Sequence, residues 1–362
     1  MAIVPLVERL PGKAVTAMQW KPTNRQCGLL IVLTVAGALL LLPKANAASC
    51  TTESQMTAAQ RDAVSKAARS MINDVQSGDV QALRANTIPA VASDFGDIAA
   101  AAASLKPLVQ HATITVDSLY GLDASSEPAG AAHTEFFCGA PLVVFNFNNL
   151  PPAKYGLAIL HATGVPKPQQ IALVLSETAE NQWMLAGFFS RPMIEAGHNG
   201  LWYWEQAREY AQKKMDWNAW FYYQTAAPLL VPVEFLSSPN LEKLRQEADA
   251  IRPAALPGSK PMMLEANGST FAVSAIAVTT EFGGLDLEVH YVPDSTQAAQ
   301  LRDPVAAGKQ VRDLMSALLA LHPELRTAFH GIWVHADQGD TSIYALELPM
   351  NEISTHPVNQ PR

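Results

Sequence analysis

The sequence predicts an α+β fold in which helices come first and an antiparallel sheet follows. Apolar residues recur at three- and four-residue steps between positions 54 and 77, which indicates an amphipathic helix. From position 111 the period changes to the alternation that is typical of strands. Links of hairpin length join these strands, so we expect antiparallel pairing rather than a parallel βαβ sheet.

Three helices are predicted in the N-terminal part of the chain. They span residues 54–77, 80–86 and 95–105, and we expect the third to stop before Pro107. Both faces of the later strands are apolar, so helices should cover one face of the sheet, and sheet curvature or another domain should cover the other. Five strand segments follow the helices, at 111–121, 134–147, 154–163, 170–177 and 182–189.

This order of elements resembles the NTF2-like and cystatin-like α+β cone over about residues 54–190. The resemblance implies a concave, often ligand-binding pocket between sheet and helices, although a fold alone does not imply an activity. Candidate pocket residues are Asp117, Tyr155 and His161, because histidine and carboxylate in a concave pocket can perform acid-base chemistry. The alternatives are a solvated sheet face at Asp117 and a hydrogen-bonded core histidine at His161.

Residues 200–233 are aromatic and helical, and they resemble one tetratricopeptide-type helical hairpin. One such unit cannot form a solenoid, because repeats bury their faces against neighbouring repeats. Exposed tryptophans would mark an interface with a partner, whereas buried ones would pack the hairpin onto flanking domains. The spacing of large and small residues carries the resemblance, at Tyr203, Ala207, Tyr210, Ala219, Tyr223 and Ala226. The interface candidates are Trp202, Trp204, Trp217 and Trp220.

The C-terminal part predicts a ββαββ unit with an antiparallel sheet and one helix across it. Gly283 and Gly284 indicate a hairpin, and Asp303 followed by Pro304 indicates the start of the helix. The predicted organisation is an α+β domain at 49–193, the helical hairpin at 194–252, a linker at 253–261, the ββαββ domain at 262–353 and a tail at 354–362.

Residues 1–48 have the layout of a secretory signal peptide. An uncharged apolar core at 27–42 follows basic residues and precedes Ala45-Asn46-Ala47. This core is shorter than the roughly 20 residues that a membrane-spanning helix needs. We therefore expect a periplasmic or secreted protein that resembles exported bacterial proteins, with Met1 or Met18 as the start. The alternatives are an uncleaved anchor at 27–42 or a lipid on Cys50.

Two cysteines, Cys50 and Cys138, remain after this leader, and in an oxidising compartment they are candidates for one disulfide. The alternative is two unrelated thiols. The formal net charge is −8. Residues 1–47 hold five basic residues and one acidic residue, a balance of +4, so the remainder carries −12. Nucleic acid is excluded as a partner because its binding needs clustered Lys and Arg. We expect no membrane span in the mature chain.

Motifs for nucleotide, serine-hydrolase, zinc-protease or CxxC chemistry are absent from the sequence. His330 and His335 are five positions apart, so a continuous strand would point them to opposite faces, where they would not share a metal. The sequence thus predicts no catalytic residue, no metal site and no cofactor. The expected function is non-catalytic binding of a protein partner or a small apolar ligand in the cell envelope. The alternative is an enzyme that uses a histidine-carboxylate pair in an NTF2-like pocket.

Overall fold

The computed structural model describes residues 48–139 and 142–354. Helices and mainly antiparallel sheets form this part of the chain, which confirms the predicted α+β class. The apolar core of the predicted signal peptide, both candidate start methionines and residues 355–362 of the predicted tail lie outside the described residues.

The first elements are a short edge strand, β1 (Ser49–Thr52), and a long helix, α1 (Ala58–Ser77). The side chain of Thr57 accepts a hydrogen bond from the backbone N–H of Gln60, which satisfies a donor that the first turn of a helix leaves unpaired. Gly78 ends the helix with a φ of 80°, a conformation that glycine adopts without steric cost. Local sequence signals therefore set both ends of α1.

Three shorter helices follow, and the last differs from its prediction. Pro107 lies inside this helix, so the expectation that the helix stops before the proline is wrong. Proline removes one backbone hydrogen bond, but Leu105 and Val109 are one turn apart and buried in the same core, which stabilises the final turn. These helices are α2 (Val80–Ala85), α3 (Pro89–Ala92) and α4 (Gly96–Val109).

Six strands complete the N-terminal half: β2 (Thr113–Asp123), β3 (His133–Cys138), β4 (Val143–Asn148), β5 (Lys154–Thr163), β6 (Gln169–Ala179) and β7 (Gln182–Pro192). An antiparallel sheet has the order β1-β2-β5-β6-β7. The segment 134–147, expected as one strand, instead forms the hairpin β3–β4. Gly139, with a φ of 55°, lies in the link between these strands.

The second half contains a small hairpin, helices and a second sheet. In chain order these elements are β8 (Ile194–Glu195), β9 (His198–Asn199), α5 (Gly200–Gln212), α6 (Asp216–Leu230), β10 (Leu236–Ser237), α7 (Pro239–Ile251), β11 (Met262–Ala266), β12 (Ser269–Thr279), β13 (Asp286–Val292), α8 (Ser295–Gln300), α9 (Pro304–Leu321), β14 (Gly331–Gln338) and β15 (Thr341–Pro349). The segment 253–261, expected as a linker, contains no helix or strand.

Both faces of the N-terminal sheet are covered. On one face, Ile72 of α1 and Leu105 of α4 share a buried core with Leu160 of β5. On the other, Leu157 of β5 shares a core with Phe145 of β4. The strand β4 belongs to a three-stranded sheet with the order β10-β4-β3, so a second sheet closes this face.

A disulfide joins Cys50 of β1 to Cys138 of β3, as the sequence predicted. Their Cα atoms are 5.2 Å apart, within the range that a disulfide spans. Since β1 belongs to the five-stranded sheet and β3 to the three-stranded one, the bond links the two sheets covalently.

The C-terminal sheet has the order β11-β12-β13-β14-β15 and differs from the predicted ββαββ unit in two respects. It begins with an additional strand, β11, and its central pair β13–β14 is parallel, so the expectation of an all-antiparallel sheet is wrong here. The helices α8 and α9 lie between these two strands in the chain. Such a crossover returns the chain to the same end of the sheet, which makes the next strand parallel.

The aromatic helices share one buried core with this C-terminal sheet. Asn218 of α6 is fully buried, and its side-chain N–H donates to the carbonyl of Glu324 at 2.8 Å. The hydroxyl of Tyr222 likewise donates to the carbonyl of Ala328 at 2.8 Å. These contacts attach the hairpin α5–α6 to the segment that precedes β14.

Candidate metal centre

The outer face of the C-terminal sheet carries histidine and carboxylate side chains near its centre. Strand alternation explains this face, since Val289 of β13 and Val334 of β14 are buried in the core that includes α9. The residues between the buried positions therefore point away from that core. On the two central strands these are Asp286, Glu288 and His290, and Trp333 and His335.

Parallel pairing of β13 and β14 places two histidines side by side. His290 is the register partner of His335, and Glu288 is the register partner of Trp333. The two imidazole rings are stacked, with centroids 4.6 Å apart and planes inclined by 10°. Residues that are distant in the chain thus meet on adjacent strands.

The Nε2 atoms of both histidines point at one carboxylate oxygen. His290 Nε2 lies 3.4 Å from Glu288 Oε1, and His335 Nε2 lies 3.5 Å from the same oxygen. His335 is only 8% exposed, and its Nε2 atom has no hydrogen-bond partner. A buried nitrogen without a partner costs free energy, so this arrangement suits an additional group between the three side chains.

Other residues engage the opposite nitrogen of each ring. His290 Nδ1 lies 2.7 Å from Asp337 Oδ2, and His335 Nδ1 lies 3.3 Å from Ser342 Oγ. An ionised carboxylate can only accept, so the Nδ1–H of His290 donates to Asp337, and Nε2 carries its lone pair when the ring is neutral. Partners of this kind commonly orient metal-binding histidines in proteins.

The environments of the two histidines shift their pKa values in opposite directions. The hydrogen bond with Glu288 raises the pKa of His290, and Asp337 adds to this effect, while burial opposes it. Burial lowers the pKa of His335, and the neighbouring His290 lowers it further. His335 is therefore neutral at neutral pH, the form in which imidazole binds metals.

The spacing of these atoms fits a tetrahedral metal ion. Ligand atoms about 2.0–2.1 Å from a tetrahedral zinc ion are roughly 3.3–3.4 Å from one another. The two distances to Glu288 Oε1, 3.4 and 3.5 Å, are close to this value, and one donor atom of each residue lies within 4.8 Å of a donor atom of the other two. Glu288, His290 and His335 thus form a three-ligand set with room for a fourth ligand.

The structure brings two of the three predicted pocket residues together. His161 Nδ1 lies 3.7 Å from Asp117 Oδ1, and their side chains are 27% and 46% exposed. Tyr155 is buried, and its hydroxyl donates to the carbonyl of Pro151 at 2.7 Å. Asp117 lines a cavity of about 550 Å³ beside Arg61, whereas Tyr155 lines a different one of about 160 Å³.

All four tryptophans of the helical region pack against other parts of the chain. Trp204 and Trp217 are buried, at 8% and 5% exposure, so neither is accessible to a partner. Their contacts are specific, since Trp204 Nε1 donates to Glu247 at 2.7 Å and the Trp217 ring stacks on His322 at 3.9 Å. The half-buried pair, Trp202 and Trp220, lies against His198 and under the Arg252 guanidinium respectively.

Sequence reasoning did not identify Glu288 or His290 as candidates. The structure places His330 and His335 in two separate groups of side chains. Each histidine has carboxylate neighbours from other strands, however, so their separation does not exclude metal binding. The available signal was the two-residue spacing of Glu288 and His290. On a strand this spacing places both side chains on one face, where they can belong to the same ligand set.

Comparisons with protein families, with curated proteins and with solved structures found no match to this chain. Over residues 48–139 and 142–354, the helices are too short or too polar to cross a membrane. The NTF2-like and tetratricopeptide-like resemblances therefore have no matching relative, and function has to be argued from the site.

Proposed function

We propose that this chain is an exported protein of non-catalytic type that binds a divalent transition-metal ion through Glu288, His290 and His335. One observation carries the proposal: both histidine Nε2 atoms face the same Glu288 oxygen, at 3.4 and 3.5 Å. The Nδ1 contacts with Asp337 and Ser342 support it, because they engage the opposite nitrogen of each ring and leave both Nε2 atoms facing Glu288.

The ligand types indicate which ions the site prefers. Imidazole nitrogens suit zinc, copper, iron and nickel, whereas magnesium and calcium prefer oxygen ligands. Two nitrogens and one carboxylate therefore favour an ion of the zinc class, with a fourth position for water or for a group from a partner. Neither nearby carboxylate would serve as a separate general base at that position, because Asp337 is hydrogen-bonded to His290 and Glu288 would be a ligand.

Export is part of the same proposal. The disulfide between Cys50 and Cys138 is compatible with an oxidising compartment, where such bonds persist. Intact mass and cell fractionation of the expressed full chain test it. A mature product that lacks residues 27–42 and appears in the periplasm or medium supports export, and a cytoplasmic full-length product contradicts it.

Zinc titration of chelator-treated protein tests the metal site. We expect one tight equivalent of Zn²⁺ by calorimetry, and a loss of affinity of about 100-fold or more in His335→Gln. Asp337→Asn, which affects only the orientation of a ligand, should lose about 10- to 100-fold. His133→Gln is the matched control, because this histidine is half-exposed and lies on β3. Unchanged tight binding in His335→Gln would refute the proposal.

The alternative of an enzyme has one observation in its favour, the distance of 3.7 Å between His161 Nδ1 and Asp117 Oδ1. This pair can exchange a proton with a bound substrate if one occupies the adjacent cavity. A screen of hydrolase and isomerase substrates with the parent protein and His161→Ala tests it. Turnover that disappears in the folded variant supports the enzyme, and equal turnover in both proteins excludes this pair.

A further inference from the structure

A second group of potential ligands lies on the same sheet and shares no residue with the first. Asp286 begins β13, His330 immediately precedes β14, and Glu347 lies on β15. One donor atom from each residue lies within 4.8 Å of the others. The three residues come from three neighbouring segments, so strand pairing in the sheet brings them together rather than the course of one surface loop.

The carboxylate of Asp286 is in an environment that ordinarily disfavours a lone charge. Asp286 is fully buried, and its Oδ2 atom has no hydrogen-bond partner. Its other oxygen, Oδ1, lies 3.0 Å from His330 Nδ1, and this contact satisfies only one side of the group. A buried, unpartnered carboxylate oxygen is costly unless a proton or a cation is close to it.

Glu347 presents a second oxygen of the same kind. Its Oε1 atom is also buried and has no hydrogen-bond partner. Burial raises the pKa of Glu347, and the nearby Asp286 raises it further, as expected for two carboxylates that share a confined space. If Asp286 and His330 formed only a structural ion pair, the position of Glu347 beside them would have no explanation.

Gly331 provides the space between the two carboxylates. A Cβ atom on this glycine would lie 2.6 Å from Glu347 Oε1 and 2.9 Å from Asp286 Oδ1, closer than real side chains approach. The backbone of His330 is fixed on both sides, because its N–H donates to Leu285 and its carbonyl accepts from Met350, each at 2.8 Å. The side chain of His330 is 49% exposed, which gives an ion access from solvent.

We infer that Asp286, His330 and Glu347 form a second binding site, which takes a divalent cation of the manganese class. Two carboxylates and one imidazole offer mainly oxygen ligands, and such sets suit harder ions than the two-histidine set does. Two carboxylates and a neutral imidazole carry a formal charge of about −2, which a divalent cation balances. The inference does not rest on the proposed zinc site, since the two sets have no residue in common.

Manganese binding is measured by electron paramagnetic resonance on the full chain after chelator treatment. One equivalent of Zn²⁺ is added first, because zinc outcompetes manganese at a site rich in imidazole. We expect the signal of free Mn²⁺ to decrease until one equivalent is bound. Glu347→Gln should weaken this binding about tenfold or more, and the control His133→Gln, at a half-exposed histidine on β3, should leave it unchanged.

A thermal unfolding series separates a binding role from a structural one. Added Mn²⁺ should raise the unfolding midpoint of the parent protein and of His133→Gln, but not that of Glu347→Gln. His330→Gln provides a second test if Glu347→Gln does not fold, because the half-exposed His330 side chain is not needed for the core. Equal Mn²⁺ binding in the parent and in a folded Glu347→Gln or His330→Gln would overturn the inference. So would a parent protein that leaves all Mn²⁺ free at millimolar concentration.

Discussion

Replacing Cys50 and Cys138 by alanine removes the covalent link between the five-stranded and three-stranded sheets, and we expect a large loss of stability. The two cysteines are 88 positions apart. In the loop-entropy description, a disulfide that closes a loop of this length stabilises the folded chain by about 4.6 kcal/mol at 25 °C, because it restricts the unfolded chain. That value is a large share of the roughly 5–15 kcal/mol that keeps an ordinary domain folded.

The assay is denaturation with guanidinium chloride, followed by circular dichroism and by tryptophan fluorescence. Three samples are compared: the oxidised parent, the parent with reductant, and the double alanine variant. Relative to the oxidised parent, the reduced parent and the variant should lose similar amounts of unfolding free energy, between about 2 and 4.6 kcal/mol. Because the variant's unfolded state is more extended, its denaturant slope should also increase.

A difference below about 1 kcal/mol, with equal slopes, would refute this reasoning. It would mean that strand pairing alone holds β1 against β2 and β3 against β4. Thiol counting on the denatured, unreduced parent is the control, since two titratable thiols would show that the bond had not formed in the sample.

Three other changes test the packing of the helical region. Glu247→Ala should lower the free energy of urea unfolding by about 2 kcal/mol, because Glu247 accepts two hydrogen bonds from Arg208, at 2.8 and 3.0 Å. Burial opposes the charge of Glu247, but these bonds lower its pKa below 4.5. The difference in stability from the parent should therefore disappear as the pH falls through that lowered value. Gly200→Ala should cost about 1–3 kcal/mol in thermal unfolding, because the added Cβ would lie 2.6 Å from Leu230 Cγ, and an unchanged midpoint would show that the two helices can separate freely. Burial lowers the pKa of His322 from 6.5, so the unfolded state binds the proton first, and stability should fall as the pH drops below about 6.5. His322→Gln should show a smaller fall between pH 7.5 and 5.5, and parallel curves would contradict this account.

Local features of the fold could be predicted from the sequence because neighbouring residues determine them. Gly78 ends α1 as predicted, whereas the predicted start at residue 54 precedes the observed one at Ala58, which Thr57 caps. Two cysteines left one possible pairing. Short apolar segments separated by turn-rich stretches identified strands such as β5 and β6 without any knowledge of their partners. The prediction for Pro107 failed because buried neighbours, which are tertiary information, outweighed a local preference.

The candidate metal site could not be predicted because it depends on the pairing of β13 with β14. Nothing in the residues around His290 specifies that His335 will be its neighbour, since either strand could have paired elsewhere. The parallel direction follows from how α8 and α9 pack across the sheet, and an antiparallel pair would give a different register. The predicted pair of Asp117 and His161, by contrast, lies on strands that follow each other closely in the chain and pair antiparallel, with Asp117 at an irregularity of the ladder between Val116 and Ser118.

Along β14, buried side chains alternate with side chains on the opposite face, so the packing of the hydrophobic core also determines the position of His335. A slip of one residue against β13 would turn His335 inward and expose Val334, at the cost of the core packing of this strand. The pairing that buries Val334 therefore also sets His335 beside His290, whether or not an ion is bound. Unlike a zinc finger, which unfolds without its metal, this sheet should keep its ligand residues adjacent after chelation, so that an arriving ion would require the stacked imidazole rings to turn towards it but no change in strand pairing.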